Sequence, residues 1–214
     1  MRNIILTTLV TSLTFIKIYG QEPSQIIVPN HNDKYSEYVQ MLENGDTDID
    51  YQDFRFSFLK SEQFLIASNL YNLTTQMYAE VDKSNYAEII SITQQMLSMD
   101  YTNMLAHKIL SQTYSSLGDT LNAQKYKTIQ FGLMRSILNL GDGKTCATAW
   151  TVIQISEVYF ILDMLDAKVK QQSLYNKGGF CDKIDAVLEG KKKTYYFEVS
   201  KVIEGYKKKF EPQM

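Results

Sequence analysis

Apolar residues recur every three to four positions along residues 82–140, and this helical period is the strongest constraint on the fold. Two segments carry it before the turn at Gly118-Asp119, and a third continues to Gly141. Such spacing places the apolar side chains on one face of each helix, and the short connections favour antiparallel pairing. The sequence therefore predicts paired helices. Their apolar positions are Tyr86, Ile89, Ile90, Met96 and Leu97; Leu105, Ile109, Leu110, Tyr114 and Leu117; and Leu121, Tyr126, Ile129, Leu133, Ile137 and Leu138.

Two further helical stretches precede these pairs. A second helix is predicted from about Tyr51 to Ala79, with a break near residues 60–62 as the alternative. The helical part is thus expected to cover residues 34–140. A first helix, which Asn44-Gly45 ends, is predicted by the spacing of Tyr35, Tyr38, Val39 and Leu42.

The apolar period changes from helical to alternating in the C-terminal third. A short helix, Glu157 to Leu165, separates a first strand near Trp150 from a second at Lys168 to Tyr175. Residues 184–188 and 195–199 then alternate in the manner of two further strands. The sequence predicts an α+β fold, in which residues 141–206 form a three- or four-stranded antiparallel meander packed on the helices. Residues 207–214 are expected to form a polar tail.

The stretch from Ala106 to Tyr126 resembles a tetratricopeptide repeat, with small and large residues where the two helices of such a repeat cross. His107 occupies a packing position of this repeat, which gives it a core or groove-lining role. Only one repeat is well matched, whereas an independent solenoid needs about three. The C-terminal part is therefore expected to cap the helices.

The first twenty residues are typical of a secretory signal peptide. Arg2 precedes an apolar stretch from Ile4 to Ile16, which is too short for a membrane-spanning helix, and Gly20 provides a small residue for cleavage. An uncleaved N-terminal anchor is the alternative. Cleavage would leave a polar, extended leader over residues 21–33 and no membrane span. The protein is therefore expected in the periplasm or outside the cell.

The two cysteines, Cys146 and Cys181, both lie in the C-terminal half. In an oxidising compartment they could form a disulfide. Two small buried thiols are the alternative, because free cysteine is among the most buried residue types. The spacing leaves both interpretations open, and it matches no zinc-binding pattern.

Three short motifs carry a resemblance to a known family. They are Asn44-Gly45-Asp46-Thr47-Asp48-Ile49-Asp50, Gly141-Asp142-Gly143-Lys144-Thr145 with Thr148-Ala149, and Tyr196-Phe197-Glu198-Val199-Ser200. In this order they resemble a family of exported Bacteroidetes proteins catalogued as domain of unknown function 4919. The resemblance covers most of the mature chain. It implies an exported protein with a tetratricopeptide-like helical part and a small sheet, and it brings no activity or functional residues with it.

The acidic run before the second helix matches part of a calcium-binding loop. Asp46, Asp48 and Asp50 occupy its first three ligand positions, but Tyr51 and Ser57 replace the glycine and the bidentate glutamate that complete it. Capping of the second helix by Asp50 explains the same acids. No metal site is predicted.

Other signatures of catalysis or cofactor binding are incomplete. Residues 141–145 end like a phosphate-binding loop, but Leu138 stands where that loop needs a glycine. The chain has only two histidines, and neither belongs to a recognisable catalytic set. The net charge of −2 does not favour nucleic acid as a partner. We predict no cofactor and no enzymatic activity.

The first functional hypothesis is a non-enzymatic interaction protein of the cell envelope. Stacked helical pairs present concave surfaces, so residues 82–140 are expected to hold a peptide or partner segment, with His107 and Tyr114 on the groove.

The second hypothesis is a small-ligand binder or an unrecognised enzyme. Its pocket would lie between helices and sheet, near Trp150, Tyr159 and Tyr196. A structural envelope protein without a discrete site is the third hypothesis.

Overall fold

The computed structural model describes residues 25–67, 70–175 and 180–210. The predicted signal peptide lies outside these residues. The described part of the leader, residues 25–33, contains no helix or strand. It contacts the helical part through the backbone N–H of Ile27, which donates a hydrogen bond to Ser98 Oγ (2.9 Å).

Seven helices make up the N-terminal part of the described chain. Side-chain caps start several of them, because Asp33, Asp50, Asn103 and Asp119 each accept hydrogen bonds from backbone N–H groups of the first turn. Consecutive helices pack on one another from α4 to α7. The helices are α1 (Lys34–Glu43), α2 (Tyr51–Phe58), α3 (Glu62–Ile66), α4 (Tyr71–Asp82), α5 (Tyr86–Met99), α6 (Met104–Ser116) and α7 (Thr120–Leu138).

The single helix expected from Tyr51 to Ala79 is divided into α2, α3 and α4. Ser61 produces the first break, which lies near residues 60–62, where the alternative prediction placed it. Its hydroxyl donates a hydrogen bond to the carbonyl of Phe58 (2.7 Å) and accepts one from the N–H of Phe64 (3.1 Å). The same side chain therefore helps to end one helix and starts the next.

A mixed four-stranded sheet follows the helices, with the strand order β1-β4-β3-β2. Strands β2 to β4 form the predicted antiparallel meander. The first strand differs from the prediction, because β1 pairs parallel to β4, with Trp150 opposite Phe197. A helix and a hairpin separate these two strands, and that distance along the chain allows parallel pairing. The elements are β1 (Trp150–Thr151), α8 (Ile155–Met164), β2 (Lys168–Tyr175), β3 (Cys181–Leu188) and β4 (Lys191–Glu198).

The polar tail expected from residue 207 is wrong for residues 207–210, which belong to the last helix, α9 (Ser200–Phe210). Its face with Val202 and Gly205 is buried. A Cβ on Gly205 would lie only 2.9 Å from the ring of Phe64, so the missing side chain permits close packing on α3. The packing of this buried face, and not the lysine-rich composition, therefore determines that residues 207–210 are helical. Residues 211–214 lie outside the described residues.

One hydrophobic core joins the helices to the sheet. It extends from Val39 on α1 and Leu110 on α6 to Phe197 on β4 and Val202 on α9. Cys146, in a 3₁₀ helix (Cys146–Thr148), forms a disulfide with Cys181 at the start of β3. Of the two interpretations of the cysteines, the structure has the disulfide.

Among the described residues, every helix is too short or too polar to cross a membrane.

Candidate functional site

A groove of about 1090 Å³ lies between α4, α8, α9 and the start of α6, and it is called here the aromatic groove. Each helix contributes one face, because the lining residues recur at intervals of three or four. Its aromatic residues are Phe58, Phe64, Tyr71, Tyr78, Tyr159, Phe160, Tyr206 and Phe210.

Several aromatic side chains of the aromatic groove are far more exposed than core residues. Tyr206 is 54% exposed, Phe210 is 73% exposed and Tyr159 is 47% exposed. Soluble proteins rarely expose contiguous apolar surface of this kind except where a partner or ligand binds. The groove thus offers apolar contact area to a ligand.

Two buried acidic side chains, Asp100 and Glu157, also line the aromatic groove. Asp100 Oδ1 accepts hydrogen bonds from the N–H (2.9 Å) and the hydroxyl (2.6 Å) of Thr102, and its Oδ2 accepts one from Gln154 Nε2 (2.8 Å). Burial raises the pKa of Asp100, and the negative charge of Glu157 acts in the same direction.

The carboxylate of Glu157 is fully engaged as well. Its Oε1 accepts a hydrogen bond from Arg55 Nε (2.8 Å), and its Oε2 accepts bonds from Arg55 Nη2 (2.7 Å) and from the N–H of Ile153 (2.7 Å). All four carboxylate oxygens of Asp100 and Glu157 therefore accept hydrogen bonds from the protein. These acids act as structural groups that are already hydrogen-bonded before any ligand arrives.

The predicted groove over residues 82–140 is not lined by His107, whose side chain is completely buried. His107 Nε2 donates a hydrogen bond to the carbonyl of Tyr101 (2.8 Å), and its ring packs against those of Tyr101 and Tyr126. Burial lowers the pKa of His107 to about 3, so the imidazole is neutral. Of its two predicted roles, the structure gives His107 the core role.

Tyr114 does not line an open groove either. It is partly buried, and its ring stacks on Tyr126 at a centroid distance of 5.8 Å. The side chains of His107 and Tyr114 therefore meet around Tyr126 in the contact between α6 and α7.

The predicted pocket of Trp150, Tyr159 and Tyr196 does not form as one cavity. Trp150 is buried and packs on Tyr195 and Phe197, and Tyr196 contacts Tyr175 within the sheet. Only Tyr159 faces the aromatic groove. The reason is that strand alternation places Tyr196 on the opposite face of β4 from Phe197.

Sequence reasoning missed most of the aromatic groove because it joined most of α4 to α2 in one helix and predicted no helix over residues 200–210. A usable signal was present, since Tyr206 and Phe210 are spaced four residues apart, and Tyr71 and Tyr78 seven residues apart. Within residues 25–67, 70–175 and 180–210, no three His, Cys, Asp or Glu side chains are grouped to hold a metal ion.

A family model described as Domain of unknown function (DUF4919) matches residues 24–208. This range includes every described helix and strand except the last two residues of α9. It confirms the family resemblance that the three sequence motifs indicated. No curated protein and no solved structure matches the chain.

Proposed function

The chain belongs to the DUF4919 family, and we propose that it is an exported, non-enzymatic protein-interaction module of the bacterial cell envelope. The observation that carries this proposal is the aromatic groove, with Tyr159, Tyr206 and Phe210 exposed along it. We place the binding surface there instead of on residues 82–140.

The size and chemistry of the aromatic groove favour a polypeptide segment as its ligand. A volume of about 1090 Å³ slightly exceeds the roughly 300–1,000 Å³ that small-molecule sites occupy. Helical faces of α4, α8 and α9 line it, and amphipathic segments bind such grooves through apolar residues at i, i+3, i+4 and i+7. The proposed ligand is a partner segment with an apolar stripe of this spacing.

The engaged acids of the groove support binding without catalysis. General acid–base chemistry needs a group that can exchange a proton with the substrate. Asp100 and Glu157 instead accept hydrogen bonds from the protein on every carboxylate oxygen. An apolar segment can cover them without leaving an unpaired buried polar group.

The disulfide supports the proposed location. Bonds such as Cys146–Cys181 persist in oxidising compartments and are rare in the cytosol. The signal-peptide pattern of residues 1–20 supports export independently. Fractionation of cells that produce the full-length chain tests this part, and cytosolic, uncleaved protein would contradict it.

Site-specific photo-crosslinking tests the groove. A photoreactive phenylalanine analogue replaces Tyr206 in one variant and Leu121 in the control, since Leu121 is 81% exposed on α7 and lies outside the groove. We expect a defined protein adduct from position 206 in native envelopes and none from position 121. Loss of this adduct in a Tyr159→Ala background would place the partner in the groove. Equal labelling from both positions, or none from position 206, would refute the proposal.

A further inference from the structure

A second cavity, called here the polar cleft, lies between residues 47–52 and one face of α7, and encloses about 690 Å³. The lining residues of α7 stand on one side of the helix, and Asn139, its C-cap, follows on the same side. They include Gln124, Lys127, Thr128, Phe131 and Arg135. The volume is well within the range of small-ligand sites. The polar cleft shares no lining residue with the aromatic groove.

The ring of Tyr51 lies directly against α7 and forms part of the wall of the polar cleft. Gly132 makes this approach possible, because a Cβ there would lie 2.4 Å from the ring. The Tyr51 hydroxyl donates a hydrogen bond to the carbonyl of Thr47 (3.0 Å), and Asp50 caps α2 through the N–H groups of Gln52 and Asp53. The segment opposite α7 is thus held in place by its own hydrogen bonds, and the cleft is preformed.

Polar side chains in the polar cleft are available to a ligand. Within the described residues, the side chains of Asp48, Lys127, Arg135 and Asn139 form no hydrogen bond or ion pair, and all four are exposed. Their functional groups differ, because Asp48 accepts, Lys127 and Arg135 donate, and Asn139 does both. A ligand that fits them must itself carry several donors and acceptors.

The charges of the polar cleft balance, with Asp48 and Asp50 on one side and Lys127 and Arg135 on the other. A strongly anionic or cationic ligand would meet repulsion from one of the two walls. The partly buried rings of Tyr51 and Phe131 add apolar surface beside the polar groups. The ligand is therefore expected to be uncharged, rich in hydroxyl groups and apolar on its ring faces.

We propose that the polar cleft binds a neutral saccharide. Sugar hydroxyls both donate and accept hydrogen bonds, and the C–H faces of the sugar ring pack against aromatic side chains. This combination matches Asp48, Asn139 and Arg135 next to Phe131. The proposal is independent of the aromatic groove and of any polypeptide partner.

Calorimetric titration with five neutral trisaccharides tests the saccharide site: maltotriose, cellotriose, xylotriose, mannotriose and chitotriose. We expect at least one to bind, and we expect Phe131→Ala and Asp48→Asn each to weaken binding about tenfold, the loss of about 1.4 kcal/mol. Tyr206→Ala in the aromatic groove and Lys191→Gln at the exposed start of β4 are the matched controls and should bind normally. Circular dichroism establishes that all four variants fold.

Three outcomes would overturn the proposal. None of the five trisaccharides binds; binding occurs but is unchanged in Phe131→Ala and Asp48→Asn; or diglycine or inorganic phosphate binds in the cleft in preference to every trisaccharide. The last result would assign the cleft to a zwitterionic ligand, if diglycine binds, or to an anionic one, if phosphate binds. None of these results bears on photo-crosslinking from position 206, so the two proposals can fail separately.

Discussion

Arg55 on α2 and Glu157 on α8 form a buried, bidentate ion pair across 102 residues of sequence. Arg55 Nη2 also donates a hydrogen bond to the carbonyl of Thr151 (3.2 Å), and the N–H of Ile153 donates to Glu157. The pair therefore joins the helical part to β1 and to the start of α8, next to the aromatic groove. Because two ionised groups are removed from water here, each depends on the other.

Replacing Arg55 with methionine should lower the free energy of unfolding by about 3–5 kcal/mol, because it leaves the Glu157 carboxylate buried without a cation. Urea denaturation measures the change. The double variant Arg55→Met/Glu157→Gln should be more stable than Arg55→Met alone. Lys34→Met, which removes an exposed ion pair with Asp53, is the control and should leave the midpoint almost unchanged. Wild-type stability of Arg55→Met would contradict a structural role for the pair.

Acidification should destabilise the protein through His107. Its pKa falls from an ordinary 6.5 to about 3 in the fold, so between these values the unfolded chain binds more protons. The contribution of the neutral imidazole to the free energy of unfolding is present in full above pH 6.5. It is lost as the pH falls towards 3, by up to about 1.4 kcal/mol per pH unit. Urea unfolding at pH 7.5 and pH 5 should therefore differ by about 2 kcal/mol from this residue alone.

His107→Gln isolates that contribution, since the amide Nε2 can still donate to the carbonyl of Tyr101. This variant should lose less stability on acidification than the wild type does. His31→Gln, at a surface contact with Glu62 (3.0 Å), should keep the acid-dependent loss. An unchanged pH dependence in His107→Gln would show that other groups cause it.

Removing the disulfide should weaken the fold substantially. Cys146 and Cys181 are 35 residues apart, and a cross-link of this span restricts the unfolded chain enough to contribute about 3–4 kcal/mol. The double variant Cys146→Ala/Cys181→Ala should show this loss in chemical denaturation, and reduced wild-type protein should unfold at a similar midpoint. Identical midpoints for reduced and oxidised protein would contradict the prediction.

Gly132 should be coupled energetically to Tyr51. In the wild type, Gly132→Ala places a methyl group where the Tyr51 ring lies, and we expect a loss of about 1–2 kcal/mol. In a Tyr51→Ala background the same substitution should stabilise α7 by up to about 1 kcal/mol, because alanine favours helix more than glycine does. A double-mutant cycle measured by thermal denaturation tests this reversal of sign. Equal effects in both backgrounds would exclude a direct contact.

Local sequence patterns were sufficient to predict much of the secondary structure. Apolar spacing located α1 and α5 to α7, and alternation located β2 to β4, because both patterns arise from the geometry of a single segment. The role of Asp50 as a helix cap is equally local, since its side chain bonds to N–H groups two and three residues ahead.

Contacts between distant segments needed the tertiary structure. The buried position of Arg55 depends on Glu157, which lies in another part of the chain, and nothing in the spacing near Arg55 indicates that partner. The same holds for the disulfide and for the parallel pairing of β1 with β4. It also holds for the lysine-rich α9, which packs against Phe64 through Gly205.

The candidate sites show the same division between what local sequence determines and what the tertiary structure decides. The sequence by itself determined that the chain has paired helices followed by a small sheet. Only the tertiary structure decided that His107 is buried, that Tyr159 and Tyr206 face one groove, and that Tyr51 meets α7 to form a separate cleft. The physical reason is that a periodic pattern defines which face of a helix is apolar, whereas a site forms where faces from different elements meet.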